Sequence, residues 1–214
     1  MLQTEKRRQN MKLGDLKIEC IAVMDEMNEV MTLDNLEGFE NDESYRDLFV
    51  RMPGAINRAM DRMATQKKLP LKEFTLTEPE KKGGYFIYNL KAVPNFRSVK
   101  RVSCMFADGT LIDELEFFHE GNRLVIFAGY NGEIVLHYYP SAPAITRDTL
   151  NTDEVDIPDE LARIIPYYVK SELMSRNEPA LAIQARNEFE EALKEIDLDE
   201  EISIELNIKK DYRI

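Results

Sequence analysis

The stretch Ile157–Ile196, IPDELARIIPYYVKSELMSRNEPALAIQARNEFEEALKEI, decides how this chain is read. Asp156 precedes Ile157 and Pro158. That is a helix-start pattern: the carboxylate can accept from a free first-turn N–H, and a proline there gives up no hydrogen bond. Leu161, Ile164, Ile165, Tyr168, Val169 and Leu173 recur at three- and four-residue steps, which makes one side of a helix apolar. Asn177 and Pro179 end that helix and start the next, whose apolar side is Ala182, Ala185, Phe189, Leu193 and Ile196. Glu188, Glu190, Glu191 and Glu195 fall mostly on its other side. With so short a connection the two helices should run antiparallel and bury their stripes together. Pro166 has no N–H to donate, so a kink or a late helix start is expected there.

The same period governs the N-terminal part. Residues 1–11 are polar, and are expected to be mobile or tied down only by a partner. Leu13, Leu16, Cys20, Val23, Met24, Met27, Val30 and Met31 predict an amphipathic helix, running roughly from 12 to 32. Thr32–Glu43 reads as a loop containing Gly38. A second helix follows, with Tyr45, Leu48, Phe49, Met52, Ile56, Met60 and Met63 on one side, and Pro53-Gly54 should bend or split it. Its far end carries Arg58, Arg62, Lys67 and Lys68. Those cations suit the negative end of the helix dipole; a patch for a partner or a phosphate is the alternative.

At Pro70 the period changes. Leu71–Thr77, Tyr85–Leu90, Phe96–Phe106, Leu115–His119, Arg123–Phe127 and Ile134–Tyr139 read as short antiparallel strands rich in aromatic and β-branched residues. Lys81-Lys82-Gly83-Gly84 and Ala107-Asp108-Gly109 mark turns, and Glu120-Gly121-Asn122 and Asn131-Gly132 mark hairpins. Such spacing suggests a small sandwich or barrel-like sheet. Pro140–Asp156 is a linker back to the helices. The expected class is α+β: one helical bundle built from both chain ends, with an antiparallel β-domain inserted as a lobe. The expected parts are 1–69, the N-terminal half of the bundle; 70–146, the β-domain; 147–198, the helical hairpin that completes the bundle; and 199–214, an extended tail. In the tail, Ile202, Ile204, Leu206 and Ile208 alternate with Ser203, Glu205, Asn207 and Lys209, a strand with one apolar face. Either it returns to the β-domain of its own chain or it adds to a sheet edge of a neighbouring molecule.

A chain of 214 residues, 43% apolar, can bury a sizeable core. Its 28 basic and 40 acidic residues give a net charge of −12. That argues against a protein that wraps nucleic acid, because such affinity comes from neutralising phosphates. It leaves room for a wall past which nucleic acid slides. No window approaches a membrane span, and MLQTEKRRQN has no apolar signal region. Cys20 and Cys104 read as small buried apolar residues in a reducing compartment. His119 and His137, with Glu120 or Glu133, could pair on a metal, but no third ligand has zinc-site spacing. Asp197, Asp199 and Glu201 lack the glycine and distant glutamate of a calcium loop. No phosphate loop, nucleophile elbow or redox cysteine pair occurs. No catalytic residue, cofactor or metal is therefore expected.

Four segments of the C-terminal helices carry a resemblance. They are Pro158-Asp159-Glu160-Leu161, Tyr167-Tyr168-Val169-Lys170-Ser171-Glu172-Leu173, Asn177-Glu178-Pro179-Ala180 and Ala185-Arg186-Asn187-Glu188-Phe189-Glu190. With Asn57-Arg58-Ala59-Met60-Asp61-Arg62-Met63 in the second helix, they resemble head-to-tail adaptor proteins of tailed bacteriophages, of the connector or tail-tubular type. The resemblance touches about half of the chain and lies in the helices; the β-block carries none of it. It implies a non-enzymatic virion structural protein, assembled in the host cytoplasm. Copies would form a dodecameric ring beneath the portal protein, extend the DNA channel and offer a platform to tail or nozzle proteins. It also implies a C-terminal extension that embraces the portal; the tail fits, with Ile202, Ile204, Leu206 and Ile208 as its anchoring face. DNA would pass without specific binding, repelled by channel carboxylates, for which Glu188, Glu191 and Glu195 are the candidates. Two other readings stand beside this one: a metal-binding or hydrolytic domain with a pocket around His119 and His137, and a non-phage interaction module on the same helical frame.

Overall fold

Pro166 ends up at the start of a helix. In the computed structural model, which describes residues 10–24, 30–146 and 148–196, the expected first helix of the hairpin is two pieces. These are α4, Asp159–Ala162, and α5, Ile165–Leu173, with Pro166 in the first turn of α5. The missing N–H thus falls where no partner exists for it. Asp156 is not the cap. Pro158 occupies that position without a side-chain hydrogen bond, and the Asp156 carboxylate instead meets Lys72 Nζ at 3.1 Å. The following helix, α6, spans Pro179–Glu195 and buries Ala182, Ala185, Phe189 and Leu193. Tyr168 of α5 faces Phe189 edge-on at 5.0 Å, and Glu172 meets Arg186 at 3.4 Å. Later residues of α5 thus meet earlier residues of α6, which is the antiparallel hairpin.

The N-terminal helices differ more from expectation. The first, α1, is Leu13–Val23. Leu13, Leu16, Cys20 and Met24 are buried as the period requires, but Val30 is 76% exposed and lies outside any helix. Met27 lies outside the described residues. The expected loop over 32–43 holds a short helix, α2, Leu36–Asn41. Asn35 organises its start: Oδ1 accepts from Thr32 N at 2.7 Å and Nδ2 donates to Val30 O at 3.0 Å. Pro53-Gly54 does not split the next helix, as α3 runs unbroken over Arg46–Thr65. Phe49, Met52, Ala55, Ile56, Ala59, Met60 and Met63 are buried on both sides of the proline. Their burial outweighs one lost hydrogen bond, given about 1.5–3 kcal/mol per large apolar side chain.

Packing converges on α5, which touches α1, α3 and α6. One apolar cluster runs through residues of α1, α2, α3, α5 and α6. The segment expected to be a linker is part of it. Ile145, Val155 and Ile157 are buried in this cluster. Leu13 N and Gly14 N donate to Asp153 O and Asn151 O, both at 2.9 Å, and Val155 N donates to Met11 O at 2.9 Å. The first N–H groups of α1, which no side chain caps, find their acceptors here. Gly14 permits the approach: a Cβ would run into the Leu33 side chain and reach within 3.0 Å of Asn151 O.

Between the helices lie two four-stranded antiparallel sheets. One has the order β1 (Lys72–Leu76), β8 (Glu133–Pro140), β4 (Phe96–Met105), β5 (Leu111–Ile112). The other is β2 (Glu80–Lys82), β3 (Tyr85–Asn89), β7 (Arg123–Phe127), β6 (Phe117–Glu120). Leu76, Val102, Ile134, Leu136 and Tyr138 of the first share a core with Tyr88, Leu124 and Ile126 of the second. Lys81 and Lys82, expected in a turn, belong to β2, and only Gly83-Gly84 turns. Asn131-Gly132 does not close a hairpin: β7 and β8 lie in different sheets, so the chain crosses over there. Gly132 is needed for room, since a Cβ would meet the Met105 carbonyl oxygen and come within 2.6 Å of Cys104 Sγ. The protein is α+β, with two antiparallel sheets.

Candidate functional site

Neither histidine stands in a metal cluster among the described residues. His119 Nε2 lies 2.8 Å from Gly121 O, and its ring meets Phe96 edge-on at 5.7 Å. Among the described residues no group of three or more His, Cys, Asp and Glu could hold a metal ion.

His137 has a more ordered setting. On β8 it lies opposite Glu73 of β1 and Arg101 of β4. Its Nδ1 is 3.0 Å from Glu73 Oε1 and its Nε2 is 2.9 Å from Ser103 Oγ. Burial holds its pKa below the usual histidine value and the Arg101 cation adds to this; together they outweigh the pull of Glu73 and Asp113. The imidazole is therefore neutral at pH 7. A carboxylate can only accept, so Nδ1–H donates to Glu73 and Nε2 accepts from Ser103. This is the donor order of a serine hydrolase relay. Access is what it lacks: Ser103 is 3% and His137 4% exposed, and Arg101 reaches across to pair with Asp113. Ser103 Oγ is thus shielded from solvent, and the trio forms a satisfied polar tie across three strands.

The cations at the end of α3 reach partners elsewhere in the fold. Arg58 pairs with Glu172 at 2.7 Å. Arg62 grips Glu190 with two hydrogen bonds of 3.0 Å, and this holds the Glu190 carboxyl below the usual range. Lys68 Nζ donates to Ile196 O at 2.6 Å, which caps α6. Lys67 lies over the Tyr139 ring at 5.1 Å. Glu190 is thus turned inward, whereas Glu188, Glu191 and Glu195 remain exposed on α6 as an acidic stripe. Of the three, Glu188 accepts from Gln184 Nε2 at 2.8 Å. Ile202, Ile204, Leu206 and Ile208 lie outside the described residues.

The surface that sequence reading missed is the outer face of the second sheet. Register sets Phe118 beside Val125 and Val125 beside Ile87, with Phe127 beside Tyr85 in the next row. Leu124 and Ile126 point into the core, so these five point away from it. Tyr85, Phe118 and Phe127 are 49%, 62% and 59% exposed. Ile87 and Val125 between them are half-buried, and Tyr85 meets Phe127 edge-on at 6.3 Å. A signal existed in the sequence: Leu124-Val125-Ile126-Phe127 is apolar without alternation, the pattern of a strand covered on both sides. Exposed aromatic side chains are enriched at interaction sites.

A crevice of about 190 Å³ opens where the helices meet the first sheet, between Leu69-Pro70-Leu71 and Pro140; the Lys72–Asp156 pair lies along its wall. No helix among the described residues is long and apolar enough to cross a membrane. No protein-family model matches the chain, and no curated protein is similar enough to count as a relative.

Proposed function

We propose that this chain is a structural subunit that works by assembly: a head-to-tail adaptor of a tailed-bacteriophage virion, without catalysis. In this reading the helices of residues 1–69 and 147–198 form one bundle, the inserted β-domain of 70–146 projects as a lobe, and the tail of 199–214 is an anchoring arm. A dodecameric ring of copies sits beneath the portal protein, carries the DNA channel onward and presents a platform to tail or nozzle proteins. The observation that supports it most is the aromatic face of Tyr85, Phe118 and Phe127, which is surface built for a protein partner. The exposed carboxylates of Glu188, Glu191 and Glu195 suit a wall along which DNA must not bind.

The intact chain and a chain ending at Asp199, each mixed with a purified portal ring and weighed by mass photometry, test the anchoring arm. The reading expects ring assembly on the portal with the intact chain and its loss with the shorter one. Equal assembly by both would remove the arm from the account.

A hydrolytic β-domain is the second reading, and the Ser103–His137–Glu73 order is the observation in its favour. Labelling of Ser103 by a fluorophosphonate, abolished by His137→Gln, would support it; the burial of Ser103 predicts no labelling.

A further inference from the structure

We propose that a cationic patch of Lys67, Arg97 and Lys100 around Tyr139, where the end of α3 meets the first sheet, is the docking surface for the acidic run 197–201 of the same chain. Seated there, the run keeps outside polyanions off the patch. The contact does not depend on the assembly reading above.

The patch stands on described residues. Lys67 Nζ and Lys100 Nζ lie 5.1 and 6.0 Å from the centre of the Tyr139 ring. Arg97 donates to Thr65 Oγ1 at 2.8 Å, which brings it to the last turn of α3. Lys67, Arg97 and Lys100 are exposed, and Lys68 beside them is half-buried. Lys67 holds φ at 58°, a left-handed backbone that glycine adopts more easily, yet the position carries a cation. Carboxylates on the adjoining elements pair elsewhere: Glu190 with Arg62, Asp156 with Lys72, Glu73 with His137 and Asp113 with Arg101. Asp61, one turn before Thr65, takes one charge from the four, and Lys194 offsets Glu195 at the end of α6. Among the described residues, neither Lys67 nor Arg97 has a carboxylate within salt-bridge distance.

Position and charge together select the occupant. Lys68 Nζ donates to Ile196 O at 2.6 Å, so the next residue, Asp197, starts beside the patch. Asp197, Asp199, Glu200 and Glu201 follow within five residues, a length that reaches roughly 17 Å when extended. Lys67 adjoins Lys68 in sequence, and Tyr139 and Lys100 lie next to it. In an extended segment Asp197, Asp199 and Glu201 face one way and can meet the cations together. A segment tethered this closely has an effective concentration on the order of millimolar. A second copy must arrive from bulk solution, and a nucleic acid is also repelled by the net charge of −12.

The test uses the full chain and a water-soluble carbodiimide, which joins a lysine amine to a carboxylate in contact with it. The exposed Lys72–Asp156 pair, at 3.1 Å, is the internal standard. At low salt, Lys67 or Lys100 should be joined to a peptide containing 197–201, in the band of monomer mass on a denaturing gel. The link should fade at about 1 M salt. Lys67→Gln, Arg97→Gln and Lys100→Gln combined should speed cleavage between Glu200 and Glu201 by a glutamate-specific protease about threefold or more, with the circular dichroism spectrum unchanged. Asp197→Asn with Asp199→Asn should do the same from the other side of the contact. Cross-linking of Lys72 to Asp156 without any link to 197–201 overturns the proposal, as do cleavage rates that neither set of changes alters. A link found only at dimer mass gives the patch to a second copy and overturns it. Retention of duplex DNA by the native chain, abolished by the three glutamines, gives the patch to nucleic acid and overturns it too.

Discussion

The side-chain amide of Asn57 closes two hydrogen bonds on the main chain of Ile145: its Nδ2 donates to Ile145 O and its Oδ1 accepts from Ile145 N, both at 2.8 Å. The middle of α3 is thereby joined to the chain just as it leaves the sheets, beside the buried Ile145 side chain. Asn57→Ala leaves a partly buried N–H and C=O without partners. A loss of about 2 kcal/mol is expected in urea unfolding, with Asn57→Asp also destabilising because a carboxylate cannot donate to Ile145 O.

Lys17 makes a comparable tie for α1. Its Nζ lies 2.7 Å from Glu40 and 2.8 Å from Asn151, and Asn151 also donates to Glu40 at 3.2 Å. The lysine is largely buried, so removing it strands a carboxylate whose remaining partner is an amide. Lys17→Ala should destabilise by about 2–3 kcal/mol. Lys17→Met, which keeps the stem's packing, should lose less. Thermal unfolding of the two variants checks the order.

Acid should weaken the β-domain through His137. Its folded pKa is depressed, by burial first and then by Arg101, so on acidification the unfolded chain takes up a proton near 6.5 before the folded one does. Stability is full above that value and falls as pH drops toward the depressed folded pKa. Melting temperatures measured between pH 7.5 and 5 should decline, and His137→Gln should flatten the decline while lowering the pH 7.5 value. An equally steep decline in the variant would place the acid sensitivity elsewhere.

The acidic stripe makes a separable prediction. If Glu188, Glu191 and Glu195 keep DNA from adhering, the triple change to lysine should leave folding intact, since all three are exposed and surface substitutions shift stability by about 0.5 kcal/mol or less. The variant should then retain duplex DNA at moderate salt, with a salt dependence the native chain lacks. A gel-shift series across ionic strength reads this.

Helical stripes and strand identities were legible wherever burial follows period. The face of α6 from Ala182 to Leu193 and the limits of β7 are examples. Local rules failed where a distant partner decides. Pro53-Gly54 should bend or split a helix, but neighbours on both sides of it are buried and α3 continues unbroken through it. Asn131-Gly132 looks like a hairpin, but the glycine is required by the close approach of β4. Glu190 and Glu188 are indistinguishable in sequence, and only the position of Arg62 on another helix turns one inward. The segment Pro140–Asp156 reads as linker because many of its anchors use its main chain, with Met11, Leu13, Gly14 and the Asn57 amide, and these leave no signature in its own side chains. The aromatic face of the second sheet was visible in Leu124–Phe127, but a run without alternation does not say what covers it.

Whether this chain works as an assembled subunit is tested most directly by electron microscopy of the intact protein mixed with a portal ring. The account predicts an added ring of copies coaxial with the portal, its central opening continuous with the portal channel. Portal particles identical with and without the protein, at concentrations well above those of the portal, would contradict it.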